Sequence, residues 1–152
     1  MAVLKASRTA QFPLVAEFVF NFNDTAVDSV SGTSKTFGSV FTDAIVFDCI
    51  PMPVGAVITG GELIVVTAGV GPTAYTASLG IAGNTTALLS ASDLKAAAGT
   101  RVALTLTTPL LANAGDNLRL TIASTVANAS AGKYKIRVMY TLDNRANEVV
   151  VV

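Results

Sequence analysis

Residues 132–142 read GKYKIRVMYTL, and from Lys133 onward the character of the side chain alternates. Tyr134, Ile136, Val138, Tyr140 and Leu142 share one face, and Lys133, Lys135, Arg137, Met139 and Thr141 share the other. A period of two belongs to a β-strand with one face in a core and the other toward water. The same period recurs upstream. In NLRLTIAST (117–125) it groups Leu118, Leu120 and Ile122, and in TAYTASLGIA (73–82) it groups Tyr75, Ala77, Leu79 and Ile81. In QFPLVAEFVFNF (11–22) it groups Phe12, Leu14, Ala16, Phe18, Phe20 and Phe22. Four phenylalanines on one face are the mark of a core.

Between these segments the chain is punctuated. FGSVFTDAIVFDCI (37–50) reads as a strand that is apolar in places on both faces. PMPVG (51–55) reads as a turn, and AVITGGELIVVTA (56–68) as a strand interrupted by Gly60 and Gly61. Paired glycines inside a strand pattern predict a bulge or a close backbone approach. NDTAVDSVSGTSK (23–35) reads as a long loop, GNTT (83–86) as a turn, TRVALTLTT (100–108) as a strand, PLLANAGDN (109–117) as a loop and VANASAGK (126–133) as a turn. SASDLKAAAG (90–99) predicts one short helix, with Ser92 as cap, Asp93 at its positive end, three alanines and Gly99 as stop. Seven or eight strands with one short helix predict an all-β, antiparallel β-sandwich, a jelly roll. An immunoglobulin-like sandwich lacks support, because the Cys–Trp–Cys core of that fold is missing. The chain is expected to be a single domain over 1–152, with an N-terminal arm at 1–11 and a C-terminal arm at 143–152.

Composition narrows the function. Of the 152 residues, 51% are hydrophobic and only 13% charged, against about 25% charged in an ordinary domain. Apolar surface buried between chains is therefore expected. The richest apolar window, residues 49–71, carries Pro51, Pro53, Gly55, Gly60, Gly61 and Glu62, so it does not read as a spanning helix, and no membrane partner is expected. Ten basic residues balance ten acidic ones, which argues against nucleic acid as a partner. Lys133, Lys135 and Arg137 read as a solvated strand face.

Catalytic options are few. Histidine is absent, which removes the commonest general base and metal ligand, and with them Ser–His–Asp and Cys–His arrangements and a cupin-type metal site. No nucleotide-binding fingerprint is present. Cys49, the single cysteine, lies in an apolar run and reads as a buried, inert thiol. Glu17, Asp43, Asp48 and Glu62 lie in or near strands and leave carboxylate-pair hydrolysis as a formal option. A glycan site normally offers aromatic platforms, but Trp is absent and Tyr75, Tyr134 and Tyr140 read as inward-facing. The expectation is a protein without enzymatic activity and without a cofactor.

Taken in order, IPMPVGAVITGGELIVVTAGVGPTA, ASLG, SASDLKAAAGT and GKYKIRVMYTLDNRANEV resemble a family of tailed-bacteriophage capsid decoration, or cement, proteins of jelly-roll type. The resemblance covers residues 45–149. It implies a structural virion protein on the capsid exterior, made in the host cytoplasm, whose partners are the major capsid protein and further copies of itself in a homotrimer. It implies stabilisation of the shell by bridging neighbouring subunits. A receptor- or glycan-binding module of a phage fibre or tail is the alternative.

The segment after the last strand, DNRANEVVVV (143–152), carries the candidate contacts. Asp143 and Asn144 suit a turn. Arg145 suits a paired contact with a neighbour, and Asn147, Glu148, Val149, Val150, Val151 and Val152 are the remaining interface candidates. The valine run suits strand addition to an adjacent sheet. Folding back onto the edge of its own sandwich stays open as the second reading.

Overall fold

The computed structural model describes residues 12–41, 43–106, 110–112 and 116–143. Its strands are β1 (Leu14–Asn21), β2 (Thr25–Val27), β3 (Ser34–Thr36), β4 (Ile45–Pro51), β5 (Ala56–Val70), β6 (Tyr75–Ile81), β7 (Asn84–Asp93), β8 (Arg101–Ala103), β9 (Leu110–Ala112), β10 (Asn117–Ser124) and β11 (Ala131–Leu142). One sheet has the order β1-β11-β5-β8, with β9 also on β5, and the other has the order β4-β10-β6-β7. All pairings are antiparallel.

The pairing is nested. If β8 and β9 count as one interrupted strand and the β2–β3 hairpin is set aside, eight strands remain. The first pairs with the eighth, the second with the seventh, the third with the sixth and the fourth with the fifth. That is one long antiparallel hairpin rolled into two facing sheets, which is the jelly-roll topology.

The expected inward faces hold the sheets together. Phe20, Tyr134, Ile136, Val138, Tyr75, Ala77, Leu79, Leu118, Leu120 and Ile122 are all fully buried. Phe18 and Tyr140 are half-buried and pack against that cluster. Rings join across the core: Phe20 lies 5.0 Å from Tyr134, and Phe37 lies 4.6 Å from Phe47, centroid to centroid. Phe12 departs from the expectation. It precedes β1 and is 67% exposed, so the alternation of the phenylalanines overran the strand by one turn of the pattern.

Gly61 confirms the close approach predicted for the glycine pair. Its φ is +150°, and a Cβ there would meet the Arg137 carbonyl oxygen at 2.2 Å. A register shift between Met139 and Tyr140 on β11 lies alongside, so the sheet is bulged at this point.

The short helix at 90–99 is corrected. β7 runs on through Ser92 and Asp93, which pair with Ala77 and Thr76, and turns follow to Gly99. Asp93 Oδ1 accepts from the Lys95 amide at 2.8 Å, so the capping chemistry is used in a turn. Leu94 is fully buried and its amide donates to the Tyr75 carbonyl at 2.9 Å. A helix of two turns is too short to sustain itself against that burial and pairing. Two expected loops also contain strand. Thr25–Val27, inside 23–35, pairs with Ser34–Thr36, which runs one residue past it, and Leu110–Ala112, inside 109–117, pairs with Ile58–Ala56 of β5.

Candidate interaction surface

The outer face of the β1-β11-β5-β8 sheet is built by the register. Glu17 stands opposite Arg137, which stands opposite Glu62, which stands opposite Ala103. Two residue pairs along, on the same face, Val15 faces Met139 and Met139 faces Gly60. The side chains join into an alternating row. Arg137 Nε donates to Glu17 Oε1, Lys135 Nζ reaches Glu17 Oε2 at 3.5 Å, Arg137 also approaches Glu62 at 3.9 Å, and Arg101 donates to Glu62 at 2.7 Å. Gly60, opposite Met139, puts no side chain on this face. An open hollow of about 670 Å³ lies here, lined by Val15, Glu17, Glu62, Arg101, Arg137 and Met139.

The row is a set of exposed and half-exposed ion pairs. The hydrogen bond from Arg137 holds the Glu17 carboxyl below the ordinary carboxylate range. A general acid needs the opposite shift. No aromatic ring lines the hollow. Asp48 lies on the other sheet with Arg119 at 3.0 Å, away from Glu17 and Glu62, and Asp43 lies in the loop before β4. Of the strand acids, Glu17 and Glu62 therefore meet around Arg137 in one hollow, while Asp48 and Asp43 lie elsewhere. Cys49 is half-buried, its thiol donates to the Leu118 carbonyl at 3.2 Å, and burial pushes its pKa up to about 12. Among the described residues no cluster of His, Cys, Asp or Glu is placed to hold a metal ion, and no helix is long and apolar enough to cross a membrane.

A second surface is the end of the sandwich where β10 turns into β11. Backbone bonds knit its loops together: Ala129 to Gly38 (2.7 Å), Thr73 to Thr125 (3.1 Å), Phe41 to Ser124 (3.3 Å) and Ser130 to Val70 (2.8 Å). The Asn128 side chain accepts from the Val40 amide at 2.8 Å. On this fixed frame Val40, Val70 and Val126 are exposed. Val126 has φ +74°, which is strained for a β-branched residue, and 79% of its surface is open to water. Strain in an exposed valine is the kind of feature that points to function.

The interface candidates Arg145, Asn147, Glu148, Val149, Val150, Val151 and Val152 lie outside the described residues, as does the arm at 1–11. Their point of departure is described. Leu14 pairs with Tyr140, and the Asp143 amide donates to the Gly55 carbonyl at 2.9 Å, so both arms leave from adjacent strands at one end. The sequence reading missed the charged row and the loop end. The row needs the cross-strand register, which only the paired fold supplies, although the Gly60–Gly61 pair already marked the place.

No protein-family model matches the chain, and no curated protein matches it. Among solved structures, a chain titled as the capsid asymmetric unit of cyanophage Pam1 is similar over 93% of this chain and 94% of its own length, with 24% sequence identity and a TM-score of 0.60. The likeness is one of fold along nearly the whole of both chains.

Proposed function

We propose that this chain is a structural virion protein that binds the outer surface of a phage capsid and stabilises it by bridging neighbouring capsid subunits. The observation that carries the reading is the likeness of fold, over nearly the whole of both chains, to a chain titled as a cyanophage capsid asymmetric unit. The resemblance of residues 45–149 to capsid decoration proteins and the low charged fraction of 13% support it. So does the rigid, valine-bearing loop end, which is suited to a fixed apolar contact with the shell. The major capsid protein is the partner, further copies complete a homotrimer, and the role needs neither catalysis nor cofactor. The C-terminal segment with Arg145, Asn147, Glu148 and the valine run serves as an arm to a neighbouring chain.

The test is reconstitution. Purified protein is mixed with phage heads assembled without it, and bound protein and the temperature at which the heads rupture are measured. Saturable binding and a raised rupture temperature are expected. A soluble monomer that leaves both quantities unchanged overturns the reading.

A further inference from the structure

A sheet edge with unpaired amides and carbonyls is a template for another strand. Three of the four edges of this sandwich are blunted. On β4, the Ser29 amide donates to the Val46 carbonyl at 2.8 Å and Asp28 Oδ1 accepts from the Val46 amide at 3.2 Å. On β7, the Thr105 amide donates to the Leu88 carbonyl at 2.8 Å. The edge formed by β8 and β9 is interrupted, each piece being three residues long.

β1 differs. The Phe22 amide donates to the Gly132 carbonyl at 3.0 Å, which fixes the parity of the β1–β11 ladder. Leu14, Ala16, Phe18 and Phe20 therefore bond to β11, and Val15, Glu17 and Val19 turn their amides and carbonyls to the free side. The next residue of that set, Asn21, has its amide on Asp24 Oδ2 at 2.7 Å, in keeping with this parity. Among the described residues nothing bonds to the free side from Val15 to Val19. β1 itself contains no proline, and Glu17 is its single charged residue. The edge is also apolar on both faces. Val15 and Val19 are exposed on the outer one, while Leu14, Ala16 and Phe18 are only half-buried on the inner one.

We propose that this free edge accepts the Val149–Val152 segment of a second copy as an added strand. The inference rests on the assembly reading of the C-terminal arm and names its docking site. An alternating strand would bury apolar groups on one face only. A run of four valines opposite residues 15–18 or 16–19 sets two side chains beside Ala16 and Phe18 on the inner face and two on the outer face, beside Glu17 and one of Val15 and Val19. The donor is a second copy because of direction. A segment returning from β11 of the same chain would run parallel to β1 and would have to cross the chain entering at Phe12 and Pro13. A neighbour's segment can run antiparallel, like every other pair in this sheet, which is the more stable pairing. Passed from copy to copy, the contact is heterologous, and it forms a ring where the rotation between copies closes.

The test uses the full chain and backbone amide hydrogen exchange. In the oligomer, the Val15, Glu17 and Val19 amides should exchange at least about tenfold more slowly than in protein diluted to monomer. Deleting Val149–Val152 should abolish both that protection and the oligomer. Val15→Pro removes one outward donor without touching the ladder to β11, so it should weaken the oligomer while the monomer keeps its melting temperature. Protection that survives dilution to monomer would assign the edge to a segment of the same chain. Protection absent in every state would show that the edge accepts nothing. Either overturns the proposal. Shell binding is measured separately: a deletion variant that still binds heads leaves the capsid reading standing and locates the arm's role between copies.

Discussion

The two sheets are alike where they face each other and unlike everywhere else. Inward, both present fully buried rows: Phe20, Tyr134 and Ile136 from one, Tyr75, Leu79, Leu120 and Ile122 from the other. Outward, the β4-β10-β6-β7 sheet carries small groups, with Thr121 opposite Ser78 and Ala123 opposite Thr76, and one ion pair between Asp48 and Arg119. The β1-β11-β5-β8 sheet carries the row of Glu17, Arg137, Glu62 and Arg101, the hollow beside it, and an open edge. The shared inner face makes the sandwich. The unshared outer face and edges decide what it can meet, because exposed ion pairs and edge groups contribute little to stability while water satisfies them.

The largest expected effect strikes what the sheets share. Phe20→Ala removes a fully buried ring that contacts Phe18, Phe37 and Tyr134, and should cost about 3–5 kcal/mol in denaturant unfolding. Both sheets should be lost in one transition. Two separated transitions would show that the comparison divides two independent units.

Asp28 tests the blunted edge of the second sheet. Its carboxylate accepts from the Ser31 hydroxyl (2.5 Å), the Ser31 amide (2.9 Å), the Val30 amide (3.3 Å) and the Val46 amide (3.2 Å). Asp28→Ala should cost about 1–3 kcal/mol by leaving those donors unpaired. The Ser31 bond, first among these, lowers the carboxyl pKa in the folded state. A lowered folded pKa contributes stability above the unfolded value, about 3.9, and loses it as pH falls through the folded value. The difference between wild type and Asp28→Ala should therefore shrink below about pH 4. A difference independent of pH would mean that the ionised form is not the one that caps the hairpin.

Val126→Gly sharpens the contrast between strain and contact. Glycine adopts φ +74° freely, so the variant should gain up to about 1 kcal/mol in stability and yet bind heads less well. Binding that is unaffected would remove the loop end from the shell contact. The smallest effect on the fold is expected from Glu17→Gln. It should leave the melting temperature of the monomer unchanged and alter the oligomer alone, read by sedimentation at low and high salt.

Much of this was legible before folding. Alternation named the inward residues of β1, β6, β10 and β11, and the glycine pair named the place of closest approach. The helix at 90–99 was read from local capping and alanine content, and it failed because Leu94 and Ser92 are claimed by the core and by β6. Phe12 failed because a periodic pattern does not mark its own end. The candidate contacts in the C-terminal arm were chosen from composition alone, and the described structure fixes only where that arm begins.

The sequence by itself determined the strands β1, β4, β5, β6, β10 and β11, the inward faces of β1, β6, β10 and β11, and the poverty of catalytic groups, because side-chain period and residue type are local properties. Tertiary structure alone decided that Glu17, Arg137, Glu62 and Arg101 form one row, that Asp28 blunts one edge, and that Val15, Glu17 and Val19 leave another open. Those facts depend on which strand lies beside which and in what register. Contacts between residues up to 120 positions apart are set by the closure of the whole core.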